Sequence, residues 1–164
     1  MAYLAAVFLL HLHPPQAFVC FANILVESQI LYDFFTFNVS SINAYYQALQ
    51  ATMRRSLPKV SEQLQALSIT PEMYVLEWIY TLFVRCVRME EIGQVWDYVF
   101  TEGVLAFVKV PVAVLGRMQA AILQANLDSI CDVFDHVPKL VGSAKELLEA
   151  CQQVSLADEA LGLV

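Results

Sequence analysis

Apolar residues recur three and four positions apart through almost the whole chain, and the residues that interrupt such a pattern are scarce, with 5 Gly and 6 Pro among 164. A period near 3.6 lines those apolar residues along one side of a helix, whereas a half-buried strand needs strict alternation. Asn-Gly and Asp-Gly, the strongest hairpin signals, do not occur. The pattern therefore predicts an all-α fold, an irregular multi-helix array.

The breaks divide this pattern into elements. A first helix runs to about His11 and stops at Pro14 and Pro15, where a second begins, because a first turn has no intrahelical use for the missing N–H. It extends to about Val26. A short helix around residues 30–35 precedes a long one capped by Ser40 or Ser41, with Ile42, Tyr45, Tyr46, Leu49 and Met53 on one face. Pro58 breaks that helix, and a continuation carries Val60, Leu64 and Leu67. Thr70 followed by Pro71 marks the next start. From Pro71 to Val87 the chain is apolar nearly all round, so one central buried helix is expected there, with Glu77, Thr81 and Arg85 forming a polar stripe suited to an internal ion pair.

Ile92, Val95, Trp96, Val99 and Phe100 then follow amphipathic spacing, with Gly103 placed to end the helix and Trp96 expected as a buried anchor. A helix from Val104 to about Ala125 is expected to bend or break at Pro111, and a shorter one lies within 129–136 after Asp128 as N-cap. Ser143 and Glu146 have capping-box spacing and open a last helix with Leu147, Leu148, Cys151 and Val154 on its apolar face. Residues 155–164 read as a frayed tail. No linker splits the chain, and 164 residues suit a single core.

The apolar share of 59% and the mean hydropathy of +0.57 exceed the roughly 45–50% usual for soluble domains, so some apolar surface is expected to meet a partner or chain outside these residues. A net charge of −7 argues against a phosphate-binding face and therefore against nucleic acid. Cys20, Cys86, Cys131 and Cys151 form no Cys-x-x-Cys pair and read as buried thiols of a reducing compartment. The apolar run Met1 to Leu12 lacks a basic flank and falls short of the roughly 20 residues that span a bilayer. The run Val104 to Leu123 contains Lys109, Pro111 and Arg117. Both are expected as protein helices rather than membrane spans.

Signals for chemistry are sparse. His11 and His13 are two apart rather than four, and His136 is remote, so no metal site is expected. A Gly-rich phosphate loop, a Gly-x-Ser-x-Gly elbow and a His-Glu-x-x-His pair are all absent, which argues against a self-contained enzyme and against a cofactor. Arg54, Arg55, Arg85 and Arg88 suit an acidic partner or, more simply, solvated helix faces. A helical bundle holding an apolar ligand between aromatic stripes is a further reading, which core packing explains more simply.

Several separated motifs then fall in one order: Met1-Ala-Tyr-Leu-Ala-Ala, Gln16-Ala-Phe, Phe21-Ala-Asn and Leu57-Pro58, followed by Tyr74, Trp78, Thr81, Leu82 and Phe83, then Val95-Trp96-Asp97, then Glu102-Gly103 with Leu105 and Phe107. This resembles the TBC domain of Rab GTPase-activating proteins over roughly residues 1–137, in its C-terminal half. The resemblance implies an all-helical TBC portion over 1–154, with Trp78, Leu82, Phe83, Trp96, Asp97 and Gly103 as scaffold positions.

Members of that family accelerate GTP hydrolysis by Rab proteins with an arginine from Ile-x-x-Asp-x-x-Arg and a glutamine from Tyr-x-Gln-Gly. Met1 stands where the methionine after the second motif would be, so both fingers are expected upstream of Met1, and the resemblance implies no catalytic residue in this chain. Met1, Ala2 and Tyr3 are then the partner-facing residues nearest the active centre. The implied partner is a GTP-bound Rab, in a cytoplasmic setting that reaches endomembranes and vesicle traffic through partners. Self-association through exposed apolar faces is expected of the chain alone. The alternative is a catalytically inactive TBC-like module that binds a Rab or a scaffold protein.

Overall fold

The computed structural model describes the backbone of residues 2–163 and the side chains of residues 3–163. Among them every regular element is helical. The helices are α1 (Ala2–His11), α2 (Pro14–Glu27), α3 (Gln29–Phe35), α4 (Val39–Ser56), α5 (Pro58–Ala66), α6 (Val75–Tyr80), α7 (Ile92–Glu102), α8 (Ala106–Arg117), α9 (Gln119–Gln124), α10 (Ile130–Asp135), α11 (Val137–Val141), α12 (Ala144–Gln152) and α13 (Asp158–Leu161).

The centre of the fold is α8, which packs against α4, α7 and α12. Its residues from Ala106 to Leu115 are buried with the single exception of Lys109. Pro111 lies inside α8 and does not break it; the helix ends at Met118 instead. Proline brings no N–H, so the Phe107 carbonyl four residues earlier loses its helical donor. The Tyr45 hydroxyl on α4 donates to that carbonyl at 2.7 Å, which leaves the buried oxygen satisfied and the helix intact. The apolar stretch Met89–Arg117 is long and apolar enough to cross a membrane, and 56% of its most apolar window is buried, which is the disposition of a core helix.

The segment after Pro71 departs from the expected single helix. Its side chains are buried as the composition requires, Val75, Ile79, Leu82, Phe83 and Cys86 all fully. Its backbone, however, is a 3₁₀ turn Pro71–Met73, then α6, then irregular turns from Thr81 onward. The stop is a Schellman motif: the Leu82 N–H reaches the Ile79 carbonyl at 3.0 Å and the Phe83 N–H reaches the Trp78 carbonyl at 2.7 Å. Leu82 and Phe83 take φ of 47° and 64°, a region that favours glycine.

The same stop ends α3, with Phe37 at φ 57°, and α5, with Ser68 at φ 56°. Gly103 ends α7 at φ 66°, as its position suggested. Caps differ in detail: Asn38 rather than Ser40 or Ser41 caps α4, and Ser129 rather than Asp128 precedes α10. The capping box of Ser143 and Glu146 is present in full. The Ser143 backbone N–H and hydroxyl hold the Glu146 carboxyl below its ordinary range, with Arg117 adding to the effect.

Residues 155–163 are not frayed but held against the fold. The Ala157 N–H donates to Thr52 Oγ1 at 3.2 Å, Arg55 donates to the Leu156 carbonyl at 3.1 Å, and the Ser155 N–H donates to Ser56 Oγ at 3.1 Å. These bonds seat α13 on α4, with Ala157 and Ala160 buried. Nor are all four thiols buried. Cys86 and Cys151 are, and burial pushes the Cys151 thiol up to about 12, whereas Cys20 on α2 and Cys131 on α10 lie on exposed faces.

Candidate functional site: a cleft at the head of the first helix

Tyr3, in the first turn of α1, is about half exposed. Of the three residues nearest the expected active centre it is the one that can be placed by its side chain, because Met1 and the Ala2 side chain lie outside the described residues. Arg85 approaches it from the turns after α6. Its Nη1 donates to the Tyr3 hydroxyl at 3.4 Å, and the guanidinium carbon lies 5.8 Å from the ring centroid, within the range of a cation–π contact. The same guanidinium, through Nε, pairs with Glu77 of α6 at 3.2 Å. Glu77 and Arg85 therefore do form the ion pair their spacing suggested, but at the surface, where such a pair contributes about 0–1 kcal/mol.

This group stands at the mouth of a cleft of about 350 Å³, floored by Trp78 and Phe134 and edged by Met89 and Asp135. The floor is rigid. Phe134 stacks on Tyr74 with ring centroids 5.0 Å apart, and Trp78 packs on both rings. The side chains that face solvent here, Tyr3, Glu77, Arg85 and Asp135, can offer a partner hydrogen bonds and charge of both signs over an apolar floor.

Of the expected scaffold positions, Trp78, Leu82, Phe83 and Trp96 are buried, whereas Asp97 and Gly103 are exposed. Trp96 is buried, its Nε1 donates to the Leu82 carbonyl at 2.9 Å, and its ring meets Phe8 of α1 at 4.8 Å. That one indole thus joins α7, the left-handed turn and α1. Trp78 and Phe83 lie in the same core, while Asp97 sits at the surface. Phe100, expected on the apolar face of α7, is 54% exposed.

Of the other arginines, three hold partners within the fold and Arg54 is exposed on α4. Arg55 binds the Leu156 carbonyl, Arg88 pairs with Glu91 at 2.6 Å, and Arg117 binds the Val141 carbonyl at 2.9 Å and Glu146 at 3.0 Å. Sequence spacing found the Glu77 and Arg85 pair but not Tyr3 or the wall from α10, because these are 82 residues from Arg85 in one case and on a remote element in the other.

The helical array and the order of the motifs define an all-α domain portion of the TBC type. The chain belongs to the Rab-GTPase-TBC domain family, which matches residues 1–123. Among curated relatives, Drainin of Dictyostelium discoideum is 28% identical over 156 residues, covering 95% of this chain and 35% of Drainin. TBC1 domain family member 12 of Xenopus tropicalis is 28% identical over 145 residues, covering 88% of this chain and 21% of that protein. Mouse Carabin is 31% identical over 99 residues, or 60% of this chain and 22% of Carabin. The chain thus spans about a third or less of these relatives.

Proposed function

We propose that this chain supplies a GTPase-docking part of a Rab GTPase-activating domain and that its 164 residues do not by themselves accelerate GTP hydrolysis. The docking surface is the cleft around Tyr3, Glu77 and Arg85, and its partner is the GTP-bound form of a Rab. One observation carries this reading: Tyr3, on the stretch where the family resemblance puts the partner, is bonded by Arg85 at the mouth of an aromatic-floored cleft. The lack of stimulation rests on chemistry. A phosphoryl-transfer activator must bring an arginine to the developing charge and orient a water; Arg55, Arg85, Arg88 and Arg117 each hold a partner within the fold, and Arg54, exposed on α4, does not match the family's finger motif. A cytoplasmic protein that meets endomembranes through its Rab, and so acts in vesicle traffic, follows from the same proposal.

Binding of the purified chain to a panel of Rab proteins tests the docking surface. We expect the triphosphate-loaded form to be preferred and Tyr3→Ala and Arg85→Ala to weaken binding, while thermal melting shows each variant folded. Equal binding of both nucleotide forms, or binding indifferent to both substitutions, contradicts the proposal and favours an inactive interaction module that uses another face.

A further inference from the structure

α2 carries an apolar run over residues 17–26, interrupted only by Asn23, yet Ala17 is its single buried residue. At 100° per residue, Phe18, Val19, Ala22, Leu25 and Val26 fall within one stripe of about 120°, centred away from Ala17. The two ends of that stripe are the most open, with Phe18 70% and Val26 71% exposed, and its middle is the small Ala22. A stripe spaced i, i+1, i+4, i+7, i+8 with a small residue at its centre has the form of a helix–helix contact that lacks its second helix.

The charge distribution favours a second copy of the same helix at that contact over a charged partner. Residues 1–26 contain no Asp, Glu, Lys or Arg, so all 9 basic and 16 acidic side chains, and the whole net charge of −7, lie beyond Val26. Two copies of this acidic chain repel one another over most of their surface but not here. An anionic lipid surface is the poorer occupant, because the face offers no lysine or arginine to its head groups.

We propose that α2 is the contact element of a two-fold dimer of this chain, in which it pairs antiparallel with α2 of a second copy about Ala22. A self-complementary contact must place residue i against j and j against i. Phe18 and Val26 are each four residues from Ala22, so antiparallel pairing sets the Phe18 of each copy against the Val26 of the other, and the alanine lets the helices approach closely at the crossing. This inference is independent of the Rab-docking reading, which uses another face.

Sedimentation equilibrium of the 164-residue chain over a wide concentration range is the test. We expect a monomer–dimer equilibrium that Phe18→Asp and Val26→Asp each weaken by about tenfold or more. Both side chains are open in the monomer, so melting of dilute protein should not change. Phe37→Asp, at an equally exposed phenylalanine between α3 and α4, should leave the dimer intact. With Cys20 and Cys131 replaced by serine, Ala22→Cys should form a disulfide-linked dimer under mild oxidation. A monomer at every concentration, or a dimer indifferent to the Phe18 and Val26 substitutions, overturns the proposal. Flotation with neutral phosphatidylcholine vesicles in place of dimerisation overturns it in favour of a lipid surface.

Discussion

Replacing Tyr45 by phenylalanine removes one oxygen and should reveal how the core helix tolerates its proline. The ring stays where it is, edge-on to Phe34 at 5.3 Å, so the loss is confined to the hydroxyl that donates to Phe107. Pro111 leaves that carbonyl without another helical donor, and Phe107 and Pro111 are buried, so water cannot take over. A buried acceptor left unpaired costs about 1–3 kcal/mol. For a domain of this size each kcal/mol lowers Tm by about 2–4 °C, so a fall of roughly 4–8 °C is expected for a loss near 2 kcal/mol. The double substitution isolates the cause. Pro111→Ala returns an N–H to Phe107, so in that background Tyr45→Phe should cost only about 0.5–1 kcal/mol, the net worth of an ordinary hydrogen bond. Thermal or urea unfolding of the four proteins measures the cycle. Equal costs in both backgrounds, or a Tyr45→Phe protein within about 0.5 kcal/mol of the parent, would refute the reasoning.

Three further outcomes follow from the same packing. Trp96→Ala should cost about 3–5 kcal/mol and Trp96→Phe less, because phenylalanine keeps the contact with Phe8 but strands the Leu82 carbonyl; urea denaturation ranks the two. Ser68→Gly should stabilise by up to about 1 kcal/mol, since relief of a left-handed φ at an exposed position exceeds the entropy glycine adds to the unfolded chain; a raised Tm checks it. Burial holds the Tyr45 phenol well above its ordinary range, and burial followed by the charge of Glu72 pushes Tyr46 up to about 12. A folded-state pKa above the unfolded value near 10 means the stabilisation is complete below that pH and is lost as pH rises past it. Unfolding midpoints should therefore be insensitive to these phenols up to about pH 10 and fall above it, and Tyr45→Phe should soften the fall.

The helical class and many of its boundaries were legible because they are local. Pro14 at the head of α2, Gly103 after α7 and the Ser143–Glu146 box act within a turn of the residues they control. The ends of α3 and α5 fall where the pattern put them, but the end of α6 was not legible, nor was the way any of the three is made. Their left-handed positions hold Phe37, Ser68 and Leu82 instead of glycine, and such residues adopt that conformation only where distant contacts over-determine it. For Leu82 one such contact is the Trp96 indole, 14 residues on. The order of residues 155–163 was hidden for the same reason, since the bonds that fix it reach back 99 to 105 residues. Pro111 misled because its cost is removed from outside α8, by Tyr45. Of the candidate cleft, spacing gave Glu77 with Arg85, and the family motifs singled out Tyr3. The contact that unites them is tertiary.

The most direct test of the central claim is single-turnover phosphate release by GTP-loaded Rab proteins, with and without the purified 164-residue chain, across a panel. An arginine finger is worth about 10³–10⁵ in rate, so even weak stimulation would be visible. The expected result is a Rab that binds the chain through the Tyr3 and Arg85 cleft yet hydrolyses GTP at its intrinsic rate. Stimulation by this chain that disappears on substituting Arg54, Arg55, Arg85, Arg88 or Arg117 would contradict it.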